Sequence, residues 1–388
     1  MEILKDNKML VTLIVVCVAV IGVSLVALFS NKEDEDENLF LDIPVVLDQS
    51  VMELVDAFAT VEEVHPVDEN PPLILGGTNI TVELGADGVP GPMLCIDDYD
   101  RSTDCRVEGQ YDLNKLGTYK LNWVATDSSG NTATKEFTLN VVEEKNGSSG
   151  DDESEGPALP IADAIGRYKD ENTAIGIDVS KWQGDVEWEK VADSGVEFVM
   201  IRLGVQDGFG GENTLDSYFL QNYKGAKAAG LEVGLYYYSY ATTLTEAAEQ
   251  AKFVLQTISD NKLVLDLPVV YDWESWTRLS TLGMSLNDLN DCARIFLELM
   301  NEAGLRGYIY SSKYYLKNGI WDLDFPVWLA HYTGETDHDG PYEMWQCSQT
   351  GRVPGIQGNV DINVLYKDGN KIRVPETVES VTLPQVIG

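Results

Sequence analysis

Hydrophobic positions along this chain change their rhythm twice, and each rhythm predicts a different kind of element. Residues 9–29 are almost continuously apolar, broken only by Thr12, Cys17, Gly22 and Ser24. A run of this length matches one helical crossing of a bilayer. Lys5 and Lys8 precede it and Glu33-Asp34-Glu35-Asp36-Glu37 follows. The positive-inside rule therefore places residues 1–8 in the cytoplasm and the chain after residue 30 outside. A cleaved signal peptide is the competing reading. The run is longer than a signal core, however, and Leu28-Phe29-Ser30 is a poor small-x-small cleavage site. The pattern predicts an uncleaved, single-pass membrane anchor over 9–30, followed by an acidic stalk or extra strands over 31–70.

From 71 to 143 the period becomes two. Residues 79–84, 117–124 and 136–142 alternate apolar and polar positions and predict strands. Asp127-Ser128-Ser129-Gly130-Asn131 predicts the hairpin turn between two of them. The module reads as a small all-β sandwich. Residues 144–172 begin with a charged, Gly/Ser-rich run that has nothing to bury, which predicts a linker, with an ordered lead-in up to Thr173 as the alternative for its second half.

From 173 to 370 strand-like and helix-like runs alternate, which is an α/β pattern. Strands are expected at 174–179, 198–203, 232–238, 268–274, 307–311, 326–330, 343–347 and 360–364. Helices are expected at 186–194 and 216–229, with two more opening at capping-box patterns, Thr243 to Glu246 and Ser285 to Asp288. Eight strands, with helices mostly between the early ones, predict an irregular, closed, parallel-type (β/α) barrel short of helices in its last third. An open doubly wound sheet would need a Gly-rich phosphate turn, and none is present. Residues 371–388 form a C-terminal tail.

Composition narrows the function. Acids outnumber bases 64 to 27, a net charge of −37, which argues against nucleic acid as a partner. Three His and five Cys without a C-x-x-C pair argue against zinc, and no metal or cofactor is expected. Cys95 and Cys105 are close enough in sequence to form a disulfide, while Cys292 and Cys347 read as small core residues.

The candidate chemistry centres on Val269-Val270-Tyr271-Asp272-Trp273-Glu274. In a strand Asp272 and Glu274 point to the same face. Two acids on one face at the end of a buried strand repel, which separates their pKa values into a proton donor and an anion. That pair suits acid-assisted cleavage of a glycosidic bond; the bland alternative is a solvated strand end. Aromatic residues gather at other predicted strand ends, where a barrel carries its site. Tyr236, Tyr238, Tyr310, Trp328, Tyr332 and Trp345, with Gln346, are candidate glycan contacts, with core packing as the alternative for each. His331 reads as a structural hydrogen bonder.

The segments GIDVSKWQG, GLYYYSY, VVYDWE, VWLAHY and MWQCSQTGRVPGIQGNVDIN, in this order, resemble the motif set of glycoside hydrolase family 25, lysozymes that act as N-acetylmuramidases. The resemblance runs from about 174 to 365. It implies a barrel with fewer helices than strands, Glu274 as general acid, Asp272 as its partner carboxylate, and Asp178 and Asp361 as two further acids lining the site. Cys347 stands where the family usually has an aromatic residue. Residues 116–142 resemble bacterial immunoglobulin-like repeats, which implies a spacer or binding module.

The expected function is a membrane-anchored extracellular lysozyme that hydrolyses the β-1,4 bond between N-acetylmuramic acid and N-acetylglucosamine in peptidoglycan. Its partners would be peptidoglycan strands and, through residues 9–30, the cytoplasmic membrane. The alternatives are a non-catalytic wall-binding or adhesion protein and a chitinase-like glycosidase. Four retained acids favour the enzyme.

Overall fold

The computed structural model describes residues 68–143 and 157–367. The expected anchor, the stalk to residue 67, most of the linker's polar run and the C-terminal tail lie outside the described residues. Among the described residues no helix is long and apolar enough to cross a membrane.

The first part is all β. Its strands are β1 (Leu73–Leu75), β2 (Asn79–Glu83), β3 (Leu94–Ile96), β4 (Thr103–Glu108), β5 (Gly117–Asp127) and β6 (Thr132–Val142). Four of them form one sheet in the order β2-β6-β5-β4, while β1 and β3 pair as a separate antiparallel ladder. The period-two pattern sends Leu121, Trp123, Phe137, Leu139 and Val141 to one buried face. Trp123 stacks on Phe137 at 4.7 Å between ring centroids. Cys95 and Cys105, expected as a disulfide, are present as thiols in hydrogen-bonding contact with each other.

The second part contains β7 (Leu159–Pro160), α1 (Ile161–Tyr168), β8 (Thr173–Val179), α2 (Trp188–Asp193), β9 (Phe198–Gln206), β10 (Asn213–Leu215), α3 (Phe219–Ala228) and β11 (Glu232–Ser239). It continues with α4 (Leu244–Asp260), β12 (Val269–Trp273), α5 (Trp276–Leu279), α6 (Leu286–Glu302), β13 (Gly307–Ser312), α7 (Lys313–Lys317), β14 (Val327–Ala330), β15 (Met344–Arg352) and β16 (Val360–Tyr366). The eight predicted strands are β8, β9, β11, β12, β13, β14, β15 and β16. They close a ring through the β8–β9 and β16–β8 pairings.

Two expectations need correction. The barrel is not parallel throughout: β16 runs antiparallel to both β15 and β8. The seven residues between β15 and β16 hold no helix, and without a long crossover a neighbouring strand must return antiparallel. The expected linker also ends early. Helix α1 buries Ile161 and Ala164 in the same core as the barrel strands.

The pleat divides the barrel side chains into two sets. Ala174, Phe198, Met200, Tyr236, Val270, Tyr308, Tyr310, Trp328 and Met344 fill one cluster. Their strand neighbours, such as Ile175, Ile201, Tyr237, Tyr271, Trp273, Leu329 and Trp345, join the large cluster that also holds the helices. The first set is therefore the barrel interior and the second its outer face. Gly176 lies between Ala174 and Asp178 on the inner face, where a Cβ would sit 2.5 Å from the Phe198 ring. Only glycine leaves that ring its place.

The β module is fastened to the start of α6. Leu286 N–H and Asn287 N–H donate to the carbonyls of Asp97 and Asp98 at 2.8 and 3.0 Å, satisfying two of the helix's orphan donors. The predicted capping box forms: Asp288 N–H donates to Ser285 Oγ and Ser285 N–H to Asp288 Oδ2. Arg101 then grips Asp288 with two nitrogens, each at 2.7 Å. At α4 Thr243 caps the helix as expected, but the Glu246 carboxylate accepts from Thr242 rather than from Thr243.

Candidate active site

The C-terminal ends of the parallel strands converge at one mouth of the barrel, and four acids stand there. Asp178 is next to last on β8, directly opposite Asp361 on β16. Asp272 is next to last on β12, flanked in register by Tyr238 on β11 and Tyr310 on β13. Glu274 follows one residue beyond the strand. Trp273, between the two acids, is fully buried in the outer cluster, as strand alternation requires.

Asp178 is held as an acceptor. Gln346 Nε2 donates to its Oδ2 at 2.9 Å and Asn363 Nδ2 donates to the same oxygen at 2.8 Å. The two amides are fixed in turn. Trp328 Nε1 donates to Asn363 Oδ1 at 2.8 Å, and the hydroxyls of Tyr310 and Tyr332 both donate to Gln346 Oε1 at 2.9 Å. A buried chain of this kind rigidifies the groups at its centre.

Burial pushes all four carboxyls upward. For Asp178 burial outweighs the opposing bonds from Asn363, Gln346 and Asp361. For Asp361 burial acts with the adjacent Asp178 charge and holds the proton up to about 9. The neutral Asp361 hydroxyl thus donates to Asp178. Asp272 is raised well above its ordinary value, by burial and then by the Glu274 charge, with Asp178 adding to it and Arg202 opposing. Glu274 is also raised, by burial first and by Asp178, while its hydrogen bond with Asp272 opposes the rise. Glu274 nevertheless reaches solvent, so burial bears on it less than on Asp272, and the two carboxyls hold a shared proton as a coupled pair. The result is a proton held within hydrogen-bond reach of an accessible carboxylate.

A cleft of about 480 Å³ opens beside Glu274, with Trp276, Tyr310, Lys313, Tyr315 and Tyr332 among its walls. Trp276 stacks on Tyr315 at 3.9 Å, and the Tyr315 hydroxyl touches Met93 Sδ of the β module at 4.0 Å.

The structure brings together most of the residues singled out from the sequence. Tyr236, Tyr310 and Trp328 pack edge to face inside the barrel below the acids, where they are nearly inaccessible. Tyr238 and Tyr332 stand closer to solvent, Tyr332 being 48% exposed. Gln346 is in the network. Trp345 is not. It lies on the opposite face of β15, buried in the outer cluster, edge-on to Tyr168 and donating its indole N–H to the His331 carbonyl at 2.8 Å. His331 bonds Thr336 at 3.0 Å, as a structural histidine does. Cys347 is on that outer face as well, its thiol donating to the Ile362 carbonyl.

Sequence reasoning missed three groups. Asn363 orients Asp178. Arg202 lies on the inner face of β9, with Nε and Nη2 donating to Asp216 Oδ2 at 2.8 and 2.7 Å. Trp182, just past β8, is 76% exposed beside Lys181. An Asn two residues after Asp361 on β16, an Arg inside a mostly apolar strand and a Trp just past a strand end are the available signals.

A barrel mouth with several perturbed carboxyls and a proton-sharing acid pair has what general acid–base chemistry requires. Comparison with known proteins agrees. The family model described as Glycosyl hydrolases family 25 matches residues 177–356. The uncharacterized protein YegX of Escherichia coli strain K12 is 31% identical over 198 residues, spanning 50% of this chain and 70% of YegX. The autolytic lysozyme of Clostridium acetobutylicum is 31% identical over 192 residues, 48% of this chain and 54% of that protein. Lysozyme M1 of Streptomyces globisporus is 28% identical over 227 residues, 54% of this chain and 76% of its own. This chain belongs to glycosyl hydrolase family 25, and it is a glycoside hydrolase of the lysozyme class.

Proposed function

We propose that the protein is a membrane-anchored muramidase that hydrolyses the β-1,4 bond between N-acetylmuramic acid and N-acetylglucosamine in peptidoglycan outside the cytoplasmic membrane. The observation that carries this reading is the hydrogen-bonded pair Asp272 and Glu274, open to a cleft, within a chain of family 25. Glu274 is the general acid: it takes up the pair's proton and delivers it to the leaving glycosidic oxygen. Asp272 is the partner carboxylate, and Asp178 and Asp361 line the opposite side of the mouth. Tyr238 and Tyr332 supply glycan contacts at the rim, while Tyr236, Tyr310, Trp328 and Gln346 support the acids from below. Residues 9–30 anchor the chain, and the β module, read as immunoglobulin-like, is a spacer that carries the barrel into the wall.

The test is digestion of purified peptidoglycan, with chitin in parallel and mass spectrometry of the new ends. Reducing ends on N-acetylmuramic acid are expected from peptidoglycan, and little release from chitin. New reducing ends on N-acetylglucosamine, or no turnover at all, would overturn the assignment. For the anchor, alkaline carbonate should leave the full chain with the membrane fraction, and its release would refute anchoring.

A further inference from the structure

The β module holds a second group of acids, far from the barrel mouth in sequence and in chemistry. Asp68, Asp97, Asp100 and Asp127 each bring a carboxylate oxygen to within 4.8 Å of the other three. Asp97 is fully buried, and Asp68 and Asp127 are 7% and 6% exposed. Like charges packed so closely repel, and burial adds to that penalty.

Backbone and side-chain donors fix these carboxylates from outside the cluster. Tyr99 N–H and Asp100 N–H donate to Asp97 Oδ1 at 2.9 and 2.8 Å. Gly130 N–H and Asn131 N–H donate to Asp127 Oδ1 at 2.6 and 2.8 Å. Asp68 accepts from Asn70 N–H and from Asn131 Nδ2, each at 2.9 Å, and Ser129 N–H donates to Asp100 Oδ2 at 2.7 Å. Two oxygens are left over. Asp97 Oδ2 and Asp127 Oδ2 are buried and have no hydrogen-bond partner. A buried carboxylate oxygen without a donor is met by an ion or an ordered water, and four aspartates converging on one point favour a cation over water.

We propose that these four aspartates bind one Ca²⁺ ion. The ligands are all hard oxygens, which suits Ca²⁺ or Mg²⁺ and excludes the softer metals. Four protein carboxylates in one place favour Ca²⁺, because Mg²⁺ keeps most of its water and takes only one or two. Expecting no metal rested on the scarcity of Cys and His, and this site uses neither.

The ion has a structural consequence. Asp97 and Asp100 belong to the same loop that clasps α6, through the carbonyls of Asp97 and Asp98 and the Arg101 pair with Asp288. Binding orders that loop, and so stiffens the attachment of the module to α6.

Calorimetric titration of the full chain with CaCl₂, after EDTA treatment, tests the site, with MgCl₂ as comparison. One Ca²⁺ per chain is expected, with a Kd below about 1 mM, the range of extracellular modules, and Mg²⁺ at least tenfold weaker. In Asp97→Asn and in Asp127→Asn, Ca²⁺ affinity should fall at least tenfold while glycan hydrolysis shows that the barrel is folded. Hydrogen exchange in the parent gives a readout that needs no variant: Ca²⁺ should slow the Leu286 and Asn287 amides. No saturable binding by the parent, equal affinity for Mg²⁺, unchanged affinity in both variants, or exchange indifferent to Ca²⁺ would each overturn the proposal.

Discussion

Asp272 and Glu274 are hydrogen-bonded to each other at the end of β12, while Trp273 between them turns its indole into the outer core. This relationship follows from the two-residue period of a strand. It leaves one proton for two carboxyls, with Asp272 buried and Glu274 reaching solvent.

Glu274→Gln should reduce turnover by about 10²- to 10⁴-fold, the usual worth of a positioned general acid. The amide keeps the shape, and its oxygen can still accept a hydrogen bond from Asp272, so folding and glycan binding should persist. Turbidity loss on peptidoglycan measures the first and co-sedimentation with it the second. Activity within a few-fold of the parent would remove Glu274 from this role.

Asp361 gives a dependence of stability on pH. In the unfolded chain its carboxyl ionises near 3.8, whereas in the fold it keeps its proton to about 9. Between those values the folded state binds more protons, so this group's contribution to stability falls as pH rises. Asp361→Asn retains a donor for Asp178 and removes the titration. Its thermal midpoint should match the parent's near the acid end and exceed it by roughly a few degrees on the alkaline side. Parallel curves for parent and variant would show that Asp361 is not held neutral.

Asn363→Leu breaks the chain from Trp328 to Asp178 at its middle. Trp328 Nε1 loses its acceptor and Asp178 one of two amide donors. Buried polar groups left unpaired cost about 1–3 kcal/mol, readable by urea unfolding. Because Asn363 acts through Asp178, kcat should fall more than KM rises. A stability loss with normal kcat would make it a structural residue only.

Much of this could be read from the chain. The eight barrel strands and the parity of Asp272 and Glu274 follow from local pattern alone. Asp178 and Asp361 come opposite each other only because β16 returns antiparallel to β8, and no local pattern encodes that pairing. Trp345 was within reach of the same parity argument, since Met344 and Gln346 take the inner face and leave Trp345 outside. An ordered lead-in before Thr173 could be expected, but that it is a helix could not, because α1 is eight residues long and buries only Ile161 and Ala164. The aspartate cluster draws on positions 68, 97, 100 and 127, a spread over which sequence spacing carries no signal.

The last prediction concerns the stereochemistry of cleavage. An inverting pair must stand roughly 6.5–9.5 Å apart to admit water on the far side of the sugar, and a retaining pair with a carboxylate nucleophile about 5–5.5 Å. Asp272 and Glu274 meet neither condition, because they touch. The sugar expected at the cleavage point carries a 2-acetamido group, whose carbonyl oxygen can attack the anomeric carbon from within the substrate. Asp272 is placed to orient that group and to stabilise the positive charge it develops, while Glu274 protonates the leaving oxygen and then activates water. The hypothesis is therefore substrate-assisted retention without a covalent enzyme intermediate. The competing arrangement has Asp178 or Asp361 positioning water from across the mouth, which would invert. Asp178 is poorly suited to that, since Gln346 and Asn363 already occupy one of its oxygens and Asp361 also bonds to it. Proton NMR of the first-formed reducing ends separates the two. Retention yields the β-anomer before mutarotation, and an initial α-anomer would refute it.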